Sequence, residues 1–406
     1  MTIKKIILEN FKSHKRTELE LSRINIIIGP NSSGKSSIFQ ALLLLKRLIV
    51  ANYNIGLDQA LNFLGVGYVN LGSFNDIKHL KRHGPVTISI LTNAVSYGIE
   101  IQNTNTVTVK FTINTENLKL NAERNLNLPY TQPSSISGSL ETNKGRFPFT
   151  WDGRFNFQFQ APAPPREIMD VFNRIKMETY NMLRDIYIIP WFKLGFANPT
   201  ISLATGDIRA QFVIPEGFIA NEIFRNADIH DYIEDSTGEL FKRRVRYHPQ
   251  QNALELYVSL KRGRTIKLVN EGGGLNRFTY IIGSILCVPE NSCILIEEPE
   301  VNLHPKAQYE LVLYIAELAK DFNRQLIITT HSEHLLNGFL NCIRKKKLNV
   351  NDLTIYSFEF DNREYKTIYK KLEIDESGRI ERGLTDFFEE EIRELIEMLE
   401  ESKTEE

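Results

Sequence analysis

A short segment rich in glycine and serine, with one lysine, has the composition of a phosphate-binding loop. Residues 29–37 (GPNSSGKSS) lie between the apolar run 24–28 and a helix-forming apolar run that begins at Ile38. In such a loop the glycines let the backbone N–H groups converge, and the helix N-terminus adds positive partial charge. Lys35 can reach the β- and γ-phosphates, and the Ser36 hydroxyl can bind Mg²⁺. The segment therefore predicts a polyphosphate ligand; the alternative is a chance Gly/Ser turn.

Two adjacent carboxylates follow a second apolar run farther along the chain. Glu297 and Glu298 come after residues 293–296 (CILI), and Pro299 ends the predicted strand. Ligands of nucleotide-binding sheets lie at the carboxyl ends of strands. Because successive strand residues point to opposite sides, we expect Glu297 to face Mg²⁺ and Glu298 to face the attacking water. The alternative is a solvated acidic turn.

Two further segments carry polar groups that could contact a phosphate. His331 follows the apolar strand-like run 325–328 and could touch a γ-phosphate or the water beside it, although a histidine that only satisfies a strand end is an alternative. Gly272, Gly273 and Gly274 precede the helix-like run 278–286. Three glycines before a helix predict a second anion-receiving turn, with an ordinary flexible turn as the alternative.

Composition and net charge limit the classes of protein to which this chain can belong. The chain has 406 residues, a formal net charge of −1, 42% hydrophobic residues and three cysteines without metal-ligand spacing. The net charge gives no bulk field for nucleic acid or membrane, and the cysteines are predicted to be reduced core thiols of a cytoplasmic protein. Because no apolar run approaches 18 residues, neither a signal peptide nor a membrane span is expected.

Changes in the pattern of apolar and polar residues along the sequence predict three regions of an α/β chain. Residues 1–95 hold the phosphate-binding loop and a helix from 36 to about 50, and residues 251–406 alternate strand and helix again. Residues 96–250 are predicted to form a β-rich insertion and a helical arm, with antiparallel strands from about 86 to 160 and a helix over 166–186. We expect a loop or hairpin tip at 131–144 and an acidic helix at 386–401.

Taken together, these motifs resemble those of the ABC-type ATPases. More narrowly, the chain is similar to bacterial AAA-type ATPases related to the overcoming-lysogenisation-defect (OLD) proteins and to SMC-class heads. The resemblance extends to residues 7–13 (ILENFKS), 70–74 (NLGSF) and 297–305 (EEPEVNLHP), and it covers about 1–95 and 250–400. It implies an α/β P-loop NTPase fold of ABC-ATPase type, with the β-rich insertion and a helical segment.

The resemblance also implies roles for individual residues around bound ATP and Mg²⁺. Ser36, Gln40 and Glu297 would bind the metal, Glu298 would be the general base, and His331 would be the switch histidine. Gly272–Gly274 would form a signature loop that binds the γ-phosphate held by a partner copy. The sequence of this loop, EGGGLN, and the presence of Glu297 in place of Asp depart from the family pattern. The residues expected to contact nucleotide are Gly29, Asn31, Ser32, Ser33, Gly34, Lys35, Ser36, Ser37, Gln40, Gly272, Gly273 and Gly274.

By the same resemblance, the expected function is Mg²⁺-dependent hydrolysis of ATP in a homodimer or higher oligomer. Similarity to the Septu and PARIS defence ATPases implies a standalone regulator in antiviral defence or DNA maintenance that controls a separate effector, such as a nuclease or toxin. The alternative is a nucleotide-gated scaffold or DNA-binding protein with little turnover. Contact with DNA or RNA stays open because four basic clusters, at 78–83, 242–246, 261–264 and 344–347, could track phosphates or merely decorate the surface. No membrane partner is expected.

Overall fold

The computed structural model describes residues 2–50, 55–81, 83–129, 136–260 and 263–380. Its strands are β1 Lys5–Phe11, β2 His14–Glu20, β3 Ile24–Ile28, β4 Val86–Leu91, β5 Val95–Ile101, β6 Thr106–Asn114, β7 Leu118–Asn127, β8 Ile136–Thr142, β9 Gly145–Trp151, β10 Phe157–Phe159, β11 Ile186–Ile189, β12 Ile201–Ser202, β13 Arg244–Gln250, β14 Ala253–Ser259, β15 Thr265–Lys267, β16 Cys293–Glu297, β17 Gln325–Thr330, β18 Leu353–Asp361 and β19 Lys366–Leu372. Its α-helices are α1 Lys35–Ile49, α2 Leu57–Leu61, α3 Phe74–Ile77, α4 Arg166–Arg184, α5 Glu216–Arg225, α6 Ala227–Phe241, α7 Gly273–Cys287, α8 Pro305–Asp321 and α9 Glu333–Arg344.

A mostly parallel sheet forms the centre of the molecule. Within the described ranges it has the strand order β11-β16-β17-β3-β18-β19, and only the β18–β19 pair is antiparallel. Every residue of β3, β16 and β17 is buried, as is typical of parallel strands covered on both faces. Ile28 of β3 pairs with Thr330, and Glu297 pairs with Thr329. The carboxyl ends of these three strands therefore meet at one edge.

Two hydrophobic cores cover the two faces of this sheet. Ile27 and Leu295 pack in the core that contains α1 and the antiparallel strands, whereas Ile26, Ile294 and Ile296 pack in the core that contains α7, α8 and α9. This division follows from the alternation of side chains along a strand. The predicted α/β class is confirmed, and helices are found where they were expected after residue 36, over 166–186 and over 278–286.

An antiparallel sheet accounts for most of the region from 86 to 160. Its order in the described part of the chain is β10-β9-β8-β7-β6-β5-β4-β1-β2, so these strands extend a sheet that the N-terminal hairpin begins. Helix α4 packs on it through Phe172, whose ring makes edge contacts with Phe157 and Phe159. The prediction of antiparallel strands is confirmed. The boundaries of the three regions, 1–95, 96–250 and 251–406, stay a prediction.

The expected loop at 131–144 is wrong for half of its length. Residues 136–142 form β8, which pairs with β9 along its whole length, and the hairpin tip is confined to Asn143 and Lys144. The absent side chain of Gly138 leaves room for the Phe149 ring, because a Cβ there would lie 2.7 Å from Phe149 Cζ. This polar segment forms a strand because its backbone pairs with β9, which contains aromatic residues. Residues 131–135 and the predicted helix 386–401 lie outside the described residues.

A smaller sheet and its helices complete the described structure. Strands β12, β14 and β13 are neighbours in that order, and β15 also pairs with β14. Cys293 and Cys342 are buried free thiols, and Cys287 is partly buried. In the portion of the chain that is described, no helix has both the length and the apolar character needed to cross a membrane.

Candidate functional site

The phosphate-binding loop joins β3 to α1 with a backbone that only glycine can adopt at two points. Gly29 has φ 147° and Gly34 has φ 98°. A Cβ on Gly29 would lie 2.1 Å from the Phe358 carbonyl oxygen, and one on Gly34 would lie 2.4 Å from Thr367 Oγ1. The two glycines therefore allow the positive φ angles and the close approach of β18 and β19 to the loop.

The Lys35 side chain folds back onto the first residues of this loop. Its ammonium donates hydrogen bonds of 2.8 Å to the carbonyl oxygens of Gly29 and Pro30. Burial lowers the pKa of Lys35 to about 8, and the charges of Glu298 and Glu300 oppose that shift. A buried cation satisfied mainly by neutral carbonyls has a strong electrostatic preference for an anionic ligand.

The other serines and Asn31 of the loop differ in exposure. Asn31, Ser32 and Ser36 are exposed, whereas Ser33 is buried, and its hydroxyl has no hydrogen-bond partner among the residues described. Ser37 starts the helix ladder, its N–H donating to Gly34 O at 3.1 Å. The exposed groups lie where a ligand could reach them, at the N-terminus of α1.

Glu297 lies at the end of β16 and faces the start of α1. Burial raises the pKa of its carboxyl group; the hydroxyls of Tyr68 and Ser36 and the backbone N–H of Trp191 oppose this by favouring the charged form. Tyr68 donates a 2.6 Å hydrogen bond to Glu297 Oε1. The second oxygen, Oε2, is buried and lacks a hydrogen-bond partner in the described structure.

Gln40 is the third residue predicted to lie near the metal. Its side-chain oxygen accepts a 2.6 Å hydrogen bond from Lys12 Nζ, and its side chain also hydrogen bonds the Tyr68 hydroxyl. Tyr68 thus joins Gln40 to Glu297. Sequence reasoning missed Tyr68, although it precedes the quoted NLGSF segment by only two residues. Its apolar neighbours gave no sign of a polar role.

Glu298 leaves β16 with a left-handed backbone and turns toward His331. Its φ is 43°, and its Oε1 lies 3.4 Å from His331 Nε2. The contact with His331 lowers the pKa of Glu298, as do the positive charges of Lys35 and Arg277. Glu298 is half-buried, so a water molecule can reach a carboxylate that is held ionised.

Glu300 is a further carboxylate that sequence reasoning did not single out; the residue is partly buried, and its Oε2 is fully buried. It accepts hydrogen bonds from the Thr330 hydroxyl at 2.7 Å and from the His331 backbone N–H at 2.8 Å. These contacts hold the end of β17 against the turn after β16. Its position inside the EEPEVNLHP segment was the available signal. Glu300 thereby fixes the backbone from which His331 projects.

The glycine turn at the start of α7 lies beside the segment that follows Glu298. A Cβ on Gly273 would lie 3.4 Å from Asn302 Nδ2, and one on Gly274 would lie 2.9 Å from Asn302 O. Gly272 and Gly273 are exposed, and within the described structure a Cβ on Gly272 would meet nothing within 4 Å. The turn therefore presents an open helix N-terminus to solvent.

A buried arginine connects this helix to the strand that carries the acidic pair. Arg277 is fully buried and donates to Pro190 O at 3.3 Å, to Lys193 O and to Glu297 O at 3.2 Å. Burial lowers the pKa of Arg277 to about 10. A shift of α7 would therefore also displace the backbone of Glu297 and the loop after β11.

The structure brings most of the predicted site residues together but leaves the glycine turn, Gly272–Gly274, apart from them. Lys35, Ser36, Gln40, Glu297, Glu298 and His331 are linked by the contacts above at the carboxyl edge of the parallel sheet. The nearest groups to Gly273 and Gly274 outside their own helix belong to Asn302 and Leu303. The roles assigned to all of these residues stay predictions.

The residues at this edge fit the Mg²⁺ that an ATPase site requires. The buried Oε2 of Glu297, with the Ser36 hydroxyl facing the same carboxylate, offers oxygen donors, which are the ligands that Mg²⁺ prefers. Gln40 lies one hydrogen bond farther away, through Tyr68. Glu297 and Ser36 are therefore the residues that would hold the metal, with Gln40 beside them.

Ion pairs distinguish the basic cluster at 242–246 from the one at 344–347. Arg244 and Arg246 form ion pairs with Glu234, and Arg243 lies 3.4 Å from Glu271. These arginines are neutralised by α6 and by the residue before the glycine turn. By contrast, the four residues 344–347 at the end of α9 are all exposed. Arg82, Lys261 and Arg262, which belong to the other clusters, lie outside the described residues.

The fold and the phosphate-binding loop are those of an α/β P-loop ATPase, and the family comparison agrees. Residues 1–140 and 219–336 match the AAA ATPase domain family. These ranges make up more than half of the chain, which therefore belongs to that family. The predicted kinship with AAA-type ATPases is confirmed.

Individual relatives match only short parts of the chain. The DNA double-strand break repair Rad50 ATPase of Methanococcus maripaludis is 58% identical over 43 residues, covering 10% of this chain and 4% of the relative. Endonuclease GajA of Bacillus cereus is 33% identical over 117 residues, covering 24% of this chain and 17% of the relative. The matched segments thus span less than a fifth of either relative.

Solved structures of SMC heads are also similar to this chain. The SMC head domain from Thermotoga maritima aligns with a TM-score of 0.43 and 14% identity, over 92% of this chain and 100% of that one. An SmcHead bound to the C-winged helix domain of ScpA aligns with a TM-score of 0.44 and 16% identity, over 92% and 98% of the two chains.

Proposed function

We propose that this chain binds Mg²⁺·ATP and hydrolyses it to ADP and phosphate. The observation that carries the proposal is the convergence of Lys35, the Glu297–Ser36 pair and the Glu298–His331 pair at the end of adjacent parallel strands. Loop N–H groups and the Lys35 ammonium bind the phosphates, replacing the carbonyl partners that Lys35 has now. Bound Mg²⁺ would neutralise charge on the β- and γ-phosphates.

In this proposal Glu298 orients the attacking water and accepts its proton. Its lowered pKa keeps it ionised at neutral pH, and its half-buried position gives it access to both water and phosphate. His331 contacts the same carboxylate and reports whether a γ-phosphate is present. Arg277 couples Glu297 to α7, so occupancy of the site can be transmitted to the glycine turn.

We further propose that two copies enclose the nucleotide, with Gly272–Gly274 of one copy facing the γ-phosphate held by the other. The open N-terminus of α7 supports this arrangement, because it offers unsatisfied N–H groups to an anion outside its own chain. The resulting motion would control a separate effector, such as a nuclease or toxin, in antiviral defence or DNA maintenance. The 33% identity to an endonuclease over 117 residues supports an association with such systems.

Steady-state release of phosphate from ATP tests the proposed hydrolysis. We expect release that requires Mg²⁺ and stops in excess chelator. Binding of ATP with no release, both with and without duplex DNA, would instead identify the alternative, a nucleotide-gated scaffold or DNA-binding protein. Loss of DNA binding when residues 344–347 are changed to alanine, with no effect from Arg246→Ala, would assign nucleic-acid contact to the end of α9.

A further inference from the structure

Tyr68 occupies a position between two of the predicted metal-site residues. Its side chain is buried, with 4% exposed, and its hydroxyl donates a 2.6 Å hydrogen bond to Glu297 Oε1. The same oxygen is hydrogen bonded by the side chain of Gln40. Tyr68 is therefore a donor to one of these residues and an acceptor from the other.

Lys12 gives this set of hydrogen bonds a fixed direction. Its ammonium donates to Gln40 Oε1 at 2.6 Å, and an ammonium has no acceptor capacity. The Gln40 amide nitrogen is then the group left to donate to Tyr68, and Tyr68 in turn donates to Glu297. Four side chains thus form a directed relay that begins at a cation and ends at a carboxylate.

Aromatic packing holds the Tyr68 ring in place. The ring stacks on Phe192, with centroids 6.2 Å apart and planes 24° apart, and Phe63 contacts it edge-on at 6.4 Å. Phe192 belongs to the loop whose Trp191 N–H also faces Glu297. The hydroxyl is therefore aimed at the carboxylate by packing on two sides, not by the hydrogen bond alone.

We propose that Tyr68 is a positioning residue that orients Glu297, so that its Oε2 is left for the divalent cation. This inference rests on the proposed function, because it assumes that Glu297 binds Mg²⁺. Tyr68 satisfies Oε1 and so fixes the rotation of the carboxylate.

The substitution Tyr68→Phe keeps the ring and removes only the donor. In a Glu298→Gln background, which prevents turnover, we would measure binding of a fluorescent ATP analogue as a function of Mg²⁺ concentration. We expect the half-saturating Mg²⁺ concentration to rise about tenfold, as for loss of a hydrogen bond to a charged group.

Tyr97→Phe is the matched control, because Tyr97 is equally buried and its hydroxyl has no hydrogen bond within the described ranges. It should leave the Mg²⁺ dependence of binding unchanged. Lys12→Met, which releases the start of the relay without touching Tyr68, should shift the Mg²⁺ midpoint in the same direction by a smaller factor. Unchanged profiles in Tyr68→Phe and Lys12→Met would overturn the inference.

Glu297→Gln separates failure of this inference from failure of the proposed function. If Glu297→Gln abolishes the Mg²⁺ dependence while Tyr68→Phe leaves it intact, Glu297 binds the metal without help from Tyr68. If Glu297→Gln also leaves the Mg²⁺ dependence intact, the assigned metal site itself is wrong.

Discussion

At the scale of single residues, His14 shows how a buried titratable group supports the phosphate-binding loop. Its Nε2 lies 3.1 Å from Gly34 O and its Nδ1 lies 2.8 Å from Thr17 Oγ1. Because a carbonyl oxygen can only accept, Nε2 carries the proton, and in the neutral ring Nδ1 accepts from the Thr17 hydroxyl. These two partners satisfy both ring nitrogens of the neutral imidazole.

Burial lowers the pKa of His14 to about 4, the bond to Gly34 opposes that shift, and His79 adds to it. Below about pH 6.5 the unfolded chain gains a proton that the folded chain does not. The contribution of neutral His14 to the free energy of unfolding is therefore full above pH 6.5 and is lost as the pH falls toward 4. The contribution lost is about 3 kcal/mol. His14→Gln should therefore lose less thermal stability than wild type between pH 7.5 and 5. Parallel melting curves of the two proteins over that range would contradict this account.

Sequence reasoning found the site residues that lie in continuous segments and missed those that reach the site from elsewhere. Lys35, Ser36 and Glu297 were predictable because a loop or a strand end places them by local geometry. Tyr68 and Glu300 were not, because their roles depend on partners 229 and 31 residues away in the chain.

At the scale of elements, the β18–β19 hairpin stabilises the phosphate-binding loop from outside. The hydroxyl of Thr367 in β19 donates to Ser33 O at 2.9 Å and lies 2.7 Å from Ser13 Oγ. Its backbone N–H also donates to Ser13 O at 2.8 Å. One residue thus connects the turn between β1 and β2 to the loop between β3 and α1.

Thr367→Val should destabilise the protein because it leaves the buried Ser33 carbonyl without its donor. We expect a loss of about 1–3 kcal/mol and weaker ATP binding by a few-fold, since the loop is less fixed. Thr367→Ser keeps the hydroxyl and is the control. Equal melting temperatures and equal nucleotide affinities for the valine and serine variants would show that the hairpin does not support the loop.

Element types were easier to predict than their partners. The apolar runs of β3, β16 and β17 indicated buried strands, and alternation indicated the antiparallel ones. The error at 136–142 arose because serine, glycine and threonine are typical of turns, whereas the aromatic strand β9 supplied the pairing. Contact of β19 with the phosphate-binding loop had no local signal, because it depends on tertiary packing.

At the scale of the whole molecule, the glycine turn and the phosphate-binding loop are predicted to meet only across two copies. Gly273 is exposed, and a Cβ there would meet Asn302 only at 3.4 Å, so Gly273→Arg should fold. We expect this variant to bind ATP with nearly wild-type affinity and to hydrolyse none, whereas Gly273→Ala should keep most activity. The expected cause is obstruction of the partner copy's site, not of its own.

Mixing Gly273→Arg with Lys35→Ala tests that arrangement. A mixed dimer has one site built from the intact loop of the first variant and the intact glycine turn of the second. With free exchange of subunits, about a quarter of wild-type activity should return. No recovery, together with a monomer by light scattering for Glu298→Gln in ATP, would rule out the shared site.

The central claim, that Lys35 and Glu298 serve one ATP-hydrolysing site, is tested most directly by measuring ATP binding and phosphate release on the same three proteins. Lys35→Ala should lose binding, because it removes charge that acts on bound substrate as well as on the transition state. Glu298→Gln should bind ATP as wild type does and release at least a hundredfold less phosphate, since only the proton acceptor is lost. Equal phosphate release by wild type and Glu298→Gln would contradict the account.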